Sequence, residues 1–476
     1  MRVCDQHYIN GEWVKSTGNT MIDVINPDTE EVFGQVVDGT EEDLNKAVAA
    51  AKAAFPAFSA TTREERITLL ENILKAYEDK KSEFAEIITA ELGTSAFLSE
   101  KVHFQMGFHH FKQAIEELKT FSFEEKRGPS IIVKEAIGVC GLITPWNFPT
   151  NQTAIKIASA FAAGCPVILK PSELTPFSAI LLAEVAHDAG VPKGVFNLVN
   201  GTGEVVGNGI SSHPDIDLIS FTGSGPTGTK ISKNAADTIK KVALELGGKS
   251  PMIILDDIDM NEAANMALSN VIFNSGQVCS LASRTIIPAS KKDEFYDALK
   301  ELITKFKVGR PDDKSARVGP VISQQQYDRV QYYIEKGIEE GATLLAGGLG
   351  KPEGLDKGYY VKPTIFTDVT NDMTIAQEEI FGPVMSVITY DTVDEAIEIA
   401  NDTIYGLSGY VLGKDEETIE KVARSIRAGR ITINRAPADY SSPFGGYKQS
   451  GVGREWGDYG IAEYLEVKSI VGVNQD

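Results

Sequence analysis

Phe221-Thr222-Gly223-Ser224-Gly225-Pro226-Thr227-Gly228 ends the apolar run Leu218 to Thr222 and precedes a helix-like stretch, Lys230 to Asp237. An apolar run, a glycine turn and a helix in that order form the repeating unit of a parallel sheet, because each parallel strand needs a crossover that covers a sheet face. The unit recurs outward from this stretch. Val139 to Thr144, Val167 to Lys170, Val195 to Val199 and Met252 to Leu255 are further short apolar runs bounded by Gly and Pro, alternating with helix-like segments such as Ser178 to Ala189. The fold class is therefore α/β. At the turn itself, Gly and Ser leave backbone N–H groups and a hydroxyl free to face a phosphate at a helix N-terminus. Gly223, Gly225 and Gly228 give a GxGxxG spacing only when taken together, and Glu245 stands about where an acidic ribose partner would fall by coincidence. A tight turn that needs small residues accounts for the same pattern.

Toward the N-terminus the chain reads as helical after a short hairpin region around Tyr8 to Val14. Thr40-Glu-Glu-Asp43 and Thr62-Arg-Glu-Glu65 fit capping boxes, and Ile67, Leu70, Leu74 and Tyr77 keep helical spacing behind the second. Toward the C-terminus a second αβ series runs from Asn261 to about Asn434, with a further capping box, Thr392-Val-Asp-Glu395, ahead of Ala396 to Asn401. Ala346 to Gly358 holds five glycines and a proline and predicts an exposed loop or hairpin tip. At 476 residues the chain exceeds one ordinary core, so two domains and a small third element are expected. Their junction falls near Gly247-Gly248-Lys249, where no flexible-linker composition occurs. Domains joined without a loose tether share a cleft.

The hydrophobic fraction of 42% and the charged fraction of 24% are those of a globular protein. Apolar runs stop near ten residues, as in Ile137 to Trp146, well short of a membrane span. Met1 to His7 lacks the apolar stretch of a secretory signal, so a cytoplasmic protein is expected. The net charge of −21 is spread over the chain, and basic residues come at most as doublets such as Lys240-Lys241. Such a surface repels phosphate backbones and argues against nucleic acid as a partner. The four cysteines, at positions 4, 140, 165 and 279, show neither metal-ligand spacing nor a disulfide pattern. Cys140 and Cys165 lie in apolar runs and read as small core residues. Cys279 differs, because Asn274-Ser275-Gly276-Gln277-Val278 precedes it.

Upstream of Cys279, by enough for a strand and a helix, lies Glu245-Leu246-Gly247-Gly248-Lys249. A thiol nucleophile forms a thioester that a second attacker must clear, and a carboxylate that takes a proton from water supplies that attacker. Lys170-Pro171-Ser172-Glu173 ends the strand Val167 to Leu169, where ligands of parallel sheets bind and a carboxylate suits ribose hydroxyls; a solvated ion pair fits as well. Thr144-Pro145-Trp146-Asn147-Phe148-Pro149 follows another strand end, and an Asn amide there suits an oxyanion, although two prolines around an aromatic pair also make a rigid turn. Glu379 and Phe381, at a loop-to-strand entry, read equally as an N-terminal charge and a core ring. Pro443 to Glu455 is dense in glycine and reads as a conformational segment.

Taken in order, these segments resemble the aldehyde dehydrogenase superfamily, from Tyr8-Ile-Asn-Gly-Glu-Trp13 nearly to the end of the chain. The matching motifs are Pro145-Trp-Asn-Phe-Pro149, Phe221-Thr-Gly-Ser224, Glu245-Leu-Gly-Gly-Lys249, Gly276-Gln-Val-Cys279, Glu379-Ile-Phe-Gly-Pro383, and Pro443-Phe-Gly-Gly with Ser450-Gly-Val-Gly-Arg-Glu455. The resemblance implies a Rossmann-like parallel-sheet cofactor domain (1–118 and 137–247), an α/β catalytic domain (248–445), and a small β oligomerisation arm with the C-terminal segment (119–136 and 446–476). The arm itself is expected from Phe121 to Val133 with Tyr464 to Val473, extending a neighbour's sheet in a homodimer or homotetramer.

The same resemblance implies roles. Cys279 attacks an aldehyde, the Asn147 amide and the Cys279 N–H hold the oxyanion, Glu245 activates water, and Lys156 supports them. Lys170, Ser172 and Glu173 fall to the adenosine ribose, Gly223 and Ser224 to the pyrophosphate, and Thr144, Trp146, Leu246, Gly247, Glu379 and Phe381 to the rest of the cofactor. Glu173 would repel a 2′-phosphate, which favours NAD and leaves NADP a possible second cofactor. Relatives that pass the acyl group to coenzyme A generally lack the glutamate matched by Glu245, so a free acid is the expected product; an inactive structural protein on this fold is the other alternative. The substrate funnel is expected from Phe148, Gln152, Ile155, Val278, Ser280, Phe444 and the segment Arg435 to Ser442. In that segment Arg435 is a candidate for pairing an acidic aldehyde, against the commoner surface role of a loop arginine.

Overall fold

A computed structural model describes residues 1–472 of the chain. Val473, expected at the end of the arm, lies outside the described residues with 474–476. Two large sheets carry the architecture. The first is 8-stranded, in the spatial order Gly451–Val452, Lys241–Glu245, Leu218–Thr222, Cys140–Ile143, Val167–Lys170, Phe196–Leu198, Gln6–Ile9, Glu12–Lys15. Its central strands are parallel, and their residues are buried on both faces, as an apolar run without alternation requires. The N-terminal hairpin and Gly451–Val452 add antiparallel edges.

Register sets the useful edge. Ile143 lies opposite Lys170, Phe221 opposite Ile143, and Thr222 opposite Glu245, so these strands end level with one another. From Cys140–Ile143 the sheet grows through Val167–Lys170 to Phe196–Leu198. It then reverses, placing Leu218–Thr222 on the other side of the first strand. The reversal opens a crevice beyond the carboxyl ends of those two strands. This sheet and its covering helices form the Rossmann-like half. Helix Pro149–Ala163 lies beneath the crevice with every residue buried, packed between the sheet and helices Arg63–Asp79 and Phe104–Thr120.

The second sheet is 7-stranded, in the order Thr343–Ala346, Thr364–Thr367, Val384–Tyr390, Arg284–Pro288, Pro251–Ile254, Ser408–Leu412, Arg430–Ile433, and only the first strand is antiparallel. The apolar run at Met252 to Leu255 therefore belongs here. Strand Lys241–Glu245 passes through Leu246–Ser250 directly into Pro251–Ile254, and every residue from Ala243 to Ser250 is buried. A buried joint of this kind sets the carboxyl edge of the first sheet against the amino edge of the second.

Thr40 and Thr62 make full capping boxes. At Thr392 only half the box forms: its hydroxyl accepts from Glu395 N, while the Glu395 carboxylate reaches back to Asp391 N at 2.7 Å. The small strands Met21–Asn26 and Glu31–Val37 were not expected in a segment read as helical; they turn through Asn26, whose side chain accepts from Asp28 N and Thr29 N, and Arg2–Cys4 pairs with the second of them.

A third sheet pairs Leu465–Val471 with Ser130–Ala136 and that strand with Glu124–Arg127. Within 446–472 only Leu465–Val471 joins it. Gly451–Val452 pairs instead with Lys241–Glu245, and helix Gly457–Glu463 packs on Phe104–Thr120 and Pro149–Ala163. A glycine permits this, since a Cβ at Gly451 would fall 2.2 Å from Leu244 O. Among the described residues, no helix is long and apolar enough to cross a membrane.

Candidate active site

Cys279 owes its position to an irregular backbone. After helix Met260–Ile272, Asn274, Ser275 and Gly276 stand at φ of 50°, 57° and 75°, three successive left-handed residues. That conformation is costly for serine and persists only where the surroundings over-determine it. Here they do. Asn274 Nδ2 donates to Asn147 O at 3.0 Å, Ser275 Oγ to Gly319 O at 2.9 Å and Gln277 Nε2 to Asn274 O at 3.1 Å, while Gln277 Oε1 accepts from Ile322 N at 2.8 Å. A Cβ on Gly276 would fall 2.0 Å from the carbonyl carbon of Gly382, so this loop and the Glu379-to-Pro383 loop touch through backbone alone. The polar residues ahead of Cys279 are its scaffold.

Asn147 enters from the start of helix Pro149–Ala163. Its Nδ2 donates to Gln277 O at 3.0 Å, which leaves the second amide hydrogen without an acceptor among the described residues. The next ring, Phe148, stacks on His103 at 4.9 Å. Burial pushes the His103 imidazole down to about 4, so it packs there as a neutral ring.

The electrostatics favour protonated resting groups. Desolvation, with the nearby Glu379 and Glu245 carboxylates, pushes the half-buried Cys279 thiol up to about 12. Burial, reinforced by Glu455, raises Glu245 well above the usual carboxylate range. Glu245 is 5% exposed and its Oε2 has no hydrogen-bond partner. Beside it, Lys156 Nζ donates to Glu455 Oε1 at 2.5 Å and to Ser220 Oγ at 2.9 Å in a buried cluster. Glu455 is tied to the pocket wall by two 2.7 Å backbone hydrogen bonds exchanged with Phe444.

The opposite side of the cleft is mostly backbone. Ser224 caps helix Gly225–Ala236 without a side-chain cap bond, its hydroxyl meeting Thr227 Oγ1 at 2.9 Å, and the first turn carries no acidic residue. Gly225 faces open space, and a Cβ on Gly228 would strike Leu246 at 2.7 Å. Thr144 N donates to Lys170 O, and Lys170, 3% exposed, donates to Pro171 O at 2.9 Å and Glu173 Oε2 at 3.1 Å. Ser172 Oγ accepts from Leu174 N at 3.2 Å. Glu379, pushed up to about 7 by burial, accepts from Gly248 N at 3.1 Å, and a Cβ on Gly247 would overlap its Oε2. Phe381 meets Trp146 edge-on at 5.3 Å, with its carbonyl held by Gln326 Nε2 at 2.8 Å. Contacts join these residues in small groups: Thr144 with Lys170 and Glu173, Gly223 with Glu245, Glu379 with Gly247 and Gly248, and Phe381 with Trp146.

Cys279 opens into a pocket of about 280 Å³ that Phe148, Gln152, Val278, Ser280 and Phe444 also line. Ile155 does not line it: it is 3% exposed within the buried helix, about 5 Å farther along the axis than Gln152. Of the segment from Arg435, Ala436 and Ala438 reach the pocket, whereas Arg435 is largely exposed and lies 3.5 Å from Glu262. Met106, Asn151, Tyr410, Arg430 and Trp456 are wall residues that sequence reasoning missed. For Arg430 the available signal was strand alternation, which puts Arg430 and Thr432 on one face beside Ser408 and Tyr410.

A Rossmann-like sheet set edge-on to a second α/β sheet, with a thiol and a buried carboxylate at the joint, is the layout of a two-domain α/β enzyme. The chain belongs to the aldehyde dehydrogenase family, whose model matches residues 13–470. It is 61% identical over 472 residues to a Staphylococcus epidermidis protein named "Putative aldehyde dehydrogenase", covering 99% of each chain. Among solved structures, aldehyde dehydrogenase C of Pseudomonas syringae, in complex with NAD+ and octanal, is 44% identical with a TM-score of 0.98, covering 99% of this chain and 98% of that one. Betaine aldehyde dehydrogenase of Staphylococcus aureus, in complex with NAD+, is 39% identical with a TM-score of 0.95, covering 99% and 95%.

Proposed function

We propose that the protein oxidises an aldehyde to the carboxylic acid with NAD, through a thioester on Cys279 that Glu245-activated water hydrolyses. The observation that carries this is the half-buried Cys279 on the pocket wall, within electrostatic reach of a buried Glu245 whose Oε2 has no partner. Cys279 Sγ passes its proton to solvent water and bonds to the carbonyl carbon. The oxygen takes the electron pair and is held by the free Asn147 amide hydrogen and the Cys279 N–H. When bound, NAD supplies the two-electron acceptor for the hydride that leaves this carbon. Glu245 then takes a proton from water, whose oxygen adds to the thioester carbon, and Cys279 leaves as the thiolate. Because burial raises the Glu245 carboxyl above the usual carboxylate range, this half-reaction accelerates with rising pH through that higher range.

The cleft fits a dinucleotide. The uncapped, acid-free helix start at Ser224, the open space at Gly225 and the buried Lys170 beside Glu173 suit pyrophosphate and ribose respectively. NAD+ complexes of the similar structures support the same choice. Glu173 makes NADP the weaker cofactor in this reading. Residues 1–118 with 137–247 then form the cofactor domain, 248–445 the catalytic domain, and 119–136 with Leu465–Val471 the arm. The arm strand exposes Val467 and Val471 by 67% and 75%, which supports a homodimer or homotetramer, and light scattering checks it. Four unpaired cysteines support a reducing, cytoplasmic setting.

The test mixes the protein with NAD and a panel of aldehydes, with and without coenzyme A, and follows absorbance of the reduced nicotinamide. Turnover without coenzyme A is expected. No reduction with any aldehyde, or a strict requirement for coenzyme A, overturns the proposal.

A further inference from the structure

The buried and half-buried arginines of this protein have acceptors. Arg66 donates to Ser59 O, Ala162 O, Ala163 O and Thr61 Oγ1; Arg284 donates to Lys249 O, Asn371 Oδ1, Ile399 O and Ala400 O. Arg454 and Arg329 hold backbone carbonyls. Arg430 is the exception. It lines the same pocket as Cys279, yet its guanidinium has neither a carboxylate partner nor a hydrogen-bond acceptor among the described residues. Its one contact is a ring: Cζ lies 4.9 Å from the centroid of Trp456. Trp456 is in turn stacked between Tyr440 and Phe444, each at 5.2 Å.

This arrangement fixes the cation without satisfying it. The ring contact leaves the guanidinium N–H groups without an acceptor among the described residues, and a guanidinium fork takes a carboxylate through two parallel hydrogen bonds. Register places Arg430 opposite Ser408 and next to the pair Tyr410–Thr432; the Tyr410 hydroxyl donates at 3.0 Å to the carbonyl of Ser280, which adjoins Cys279. The fork and the thiol are therefore joined by one strand pair and share one enclosure. The other carboxylate in that enclosure, Glu455, has its charge met by Lys156.

We propose that Arg430 selects aldehydes bearing a carboxylate at the end remote from the carbonyl, the semialdehyde class. The proposal rests on the aldehyde-oxidising reading of Cys279 given above. A quaternary ammonium is disfavoured at the same place, because the Arg430 charge beside Trp456 repels a second cation.

The experiment measures kcat/KM for 5-oxopentanoate against pentanal, with octanal and betaine aldehyde as uncharged and cationic comparators, in the native protein and in Arg430→Gln and Arg430→Lys. The native protein is expected to prefer 5-oxopentanoate over pentanal by about tenfold or more, chiefly through KM. Arg430→Gln brings that ratio to within about twofold of unity, and Arg430→Lys keeps part of it. In the native protein, glutarate is also expected to compete with the aldehyde more strongly than pentanoate does, a readout that does not depend on any variant folding. Equal or better use of pentanal overturns the proposal, as does a ratio that survives Arg430→Gln. Failure to oxidise any aldehyde overturns the reading of Cys279 itself, and this proposal with it.

Discussion

The two edges that meet at the cleft are built in opposite ways. On the cofactor edge the working groups are backbone and small residues: the turn Gly223-Ser224-Gly225, the helix start behind it, and Gly247-Gly248 beneath Glu379. Each is set by its own few residues. On the edge proposed for the aldehyde the groups are side chains from widely separated elements: Cys279 from a strained loop, Asn147 from a helix entry, Arg430 from a strand and Trp456 from the C-terminal segment. A dinucleotide has the same phosphates in every enzyme, so a local, repeatable solution serves it. An aldehyde varies at its far end, and its pocket is free to vary with it.

If the edges are separable, Cys279→Ala should damage one alone. Turnover is expected to fall by at least about 10³-fold, because no other pocket residue carries a thiol, while the dissociation constant for NAD stays within about twofold of the native value. Fluorescence titration with NAD checks the second half. A cysteine variant that loses NAD affinity in proportion to its activity would break the contrast.

Glu245→Gln probes the joint, since Glu245 ends a strand of the first sheet and is the base proposed for the aldehyde chemistry. Steady turnover is expected to fall by roughly 10²- to 10³-fold. A burst of reduced nicotinamide near one equivalent per subunit should survive, because acylation of Cys279 comes first. Undiminished steady turnover at neutral pH would remove Glu245 as the base.

Glu455→Gln should have a smaller and more diagnostic effect. Glu455 is the leading charge that raises Glu245, after desolvation. The active form is the deprotonated carboxylate, and a raised pKa confines it to higher pH. Removing the Glu455 charge lets Lys156 act on Glu245 alone, so the acidic limb of the kcat profile should move to lower pH. The loss at the optimum is expected to be about tenfold or less. A limb that stays in place would show that Glu455 only packs Phe444.

The same contrast explains what could be read from the chain. Strands Val167–Lys170 and Leu218–Thr222 were legible to the residue, because an apolar run buried on both faces and closed by Gly or Pro admits few alternatives. The strands Met21–Asn26 and Glu31–Val37 were not, since their partly exposed residues carry no clean alternation. Within the site, residues held in short motifs were legible. Arg430 and Trp456 were not, because no local pattern says which of several strand and loop positions faces a pocket assembled from distant parts. Arg435 shows the cost: it is the arginine weighed for an acidic aldehyde against the commoner surface role, and it lies exposed beside Glu262, outside the pocket lining. Ile155 failed for a related reason, as helical phase alone does not say how deep along the axis a pocket reaches.

The smallest expected effect falls on the cofactor edge and asks whether even that edge carries specificity in a side chain. Glu173 is 37% exposed on its side chain and lies 3.1 Å from the buried Lys170. A 2′-phosphate placed there meets a like charge, and with solvent screening the penalty is roughly 1 kcal/mol. Glu173→Gln removes the repulsion and also frees the Lys170 charge to attract the phosphate. Both changes act in one direction. The ratio of kcat/KM for NADP over NAD is expected to rise about five- to tenfold, partly by weaker NAD binding as a charged ribose acceptor becomes a neutral one. An unchanged ratio would mean that backbone and shape alone choose the cofactor, and the two edges of the cleft would then differ more completely than the structure shows.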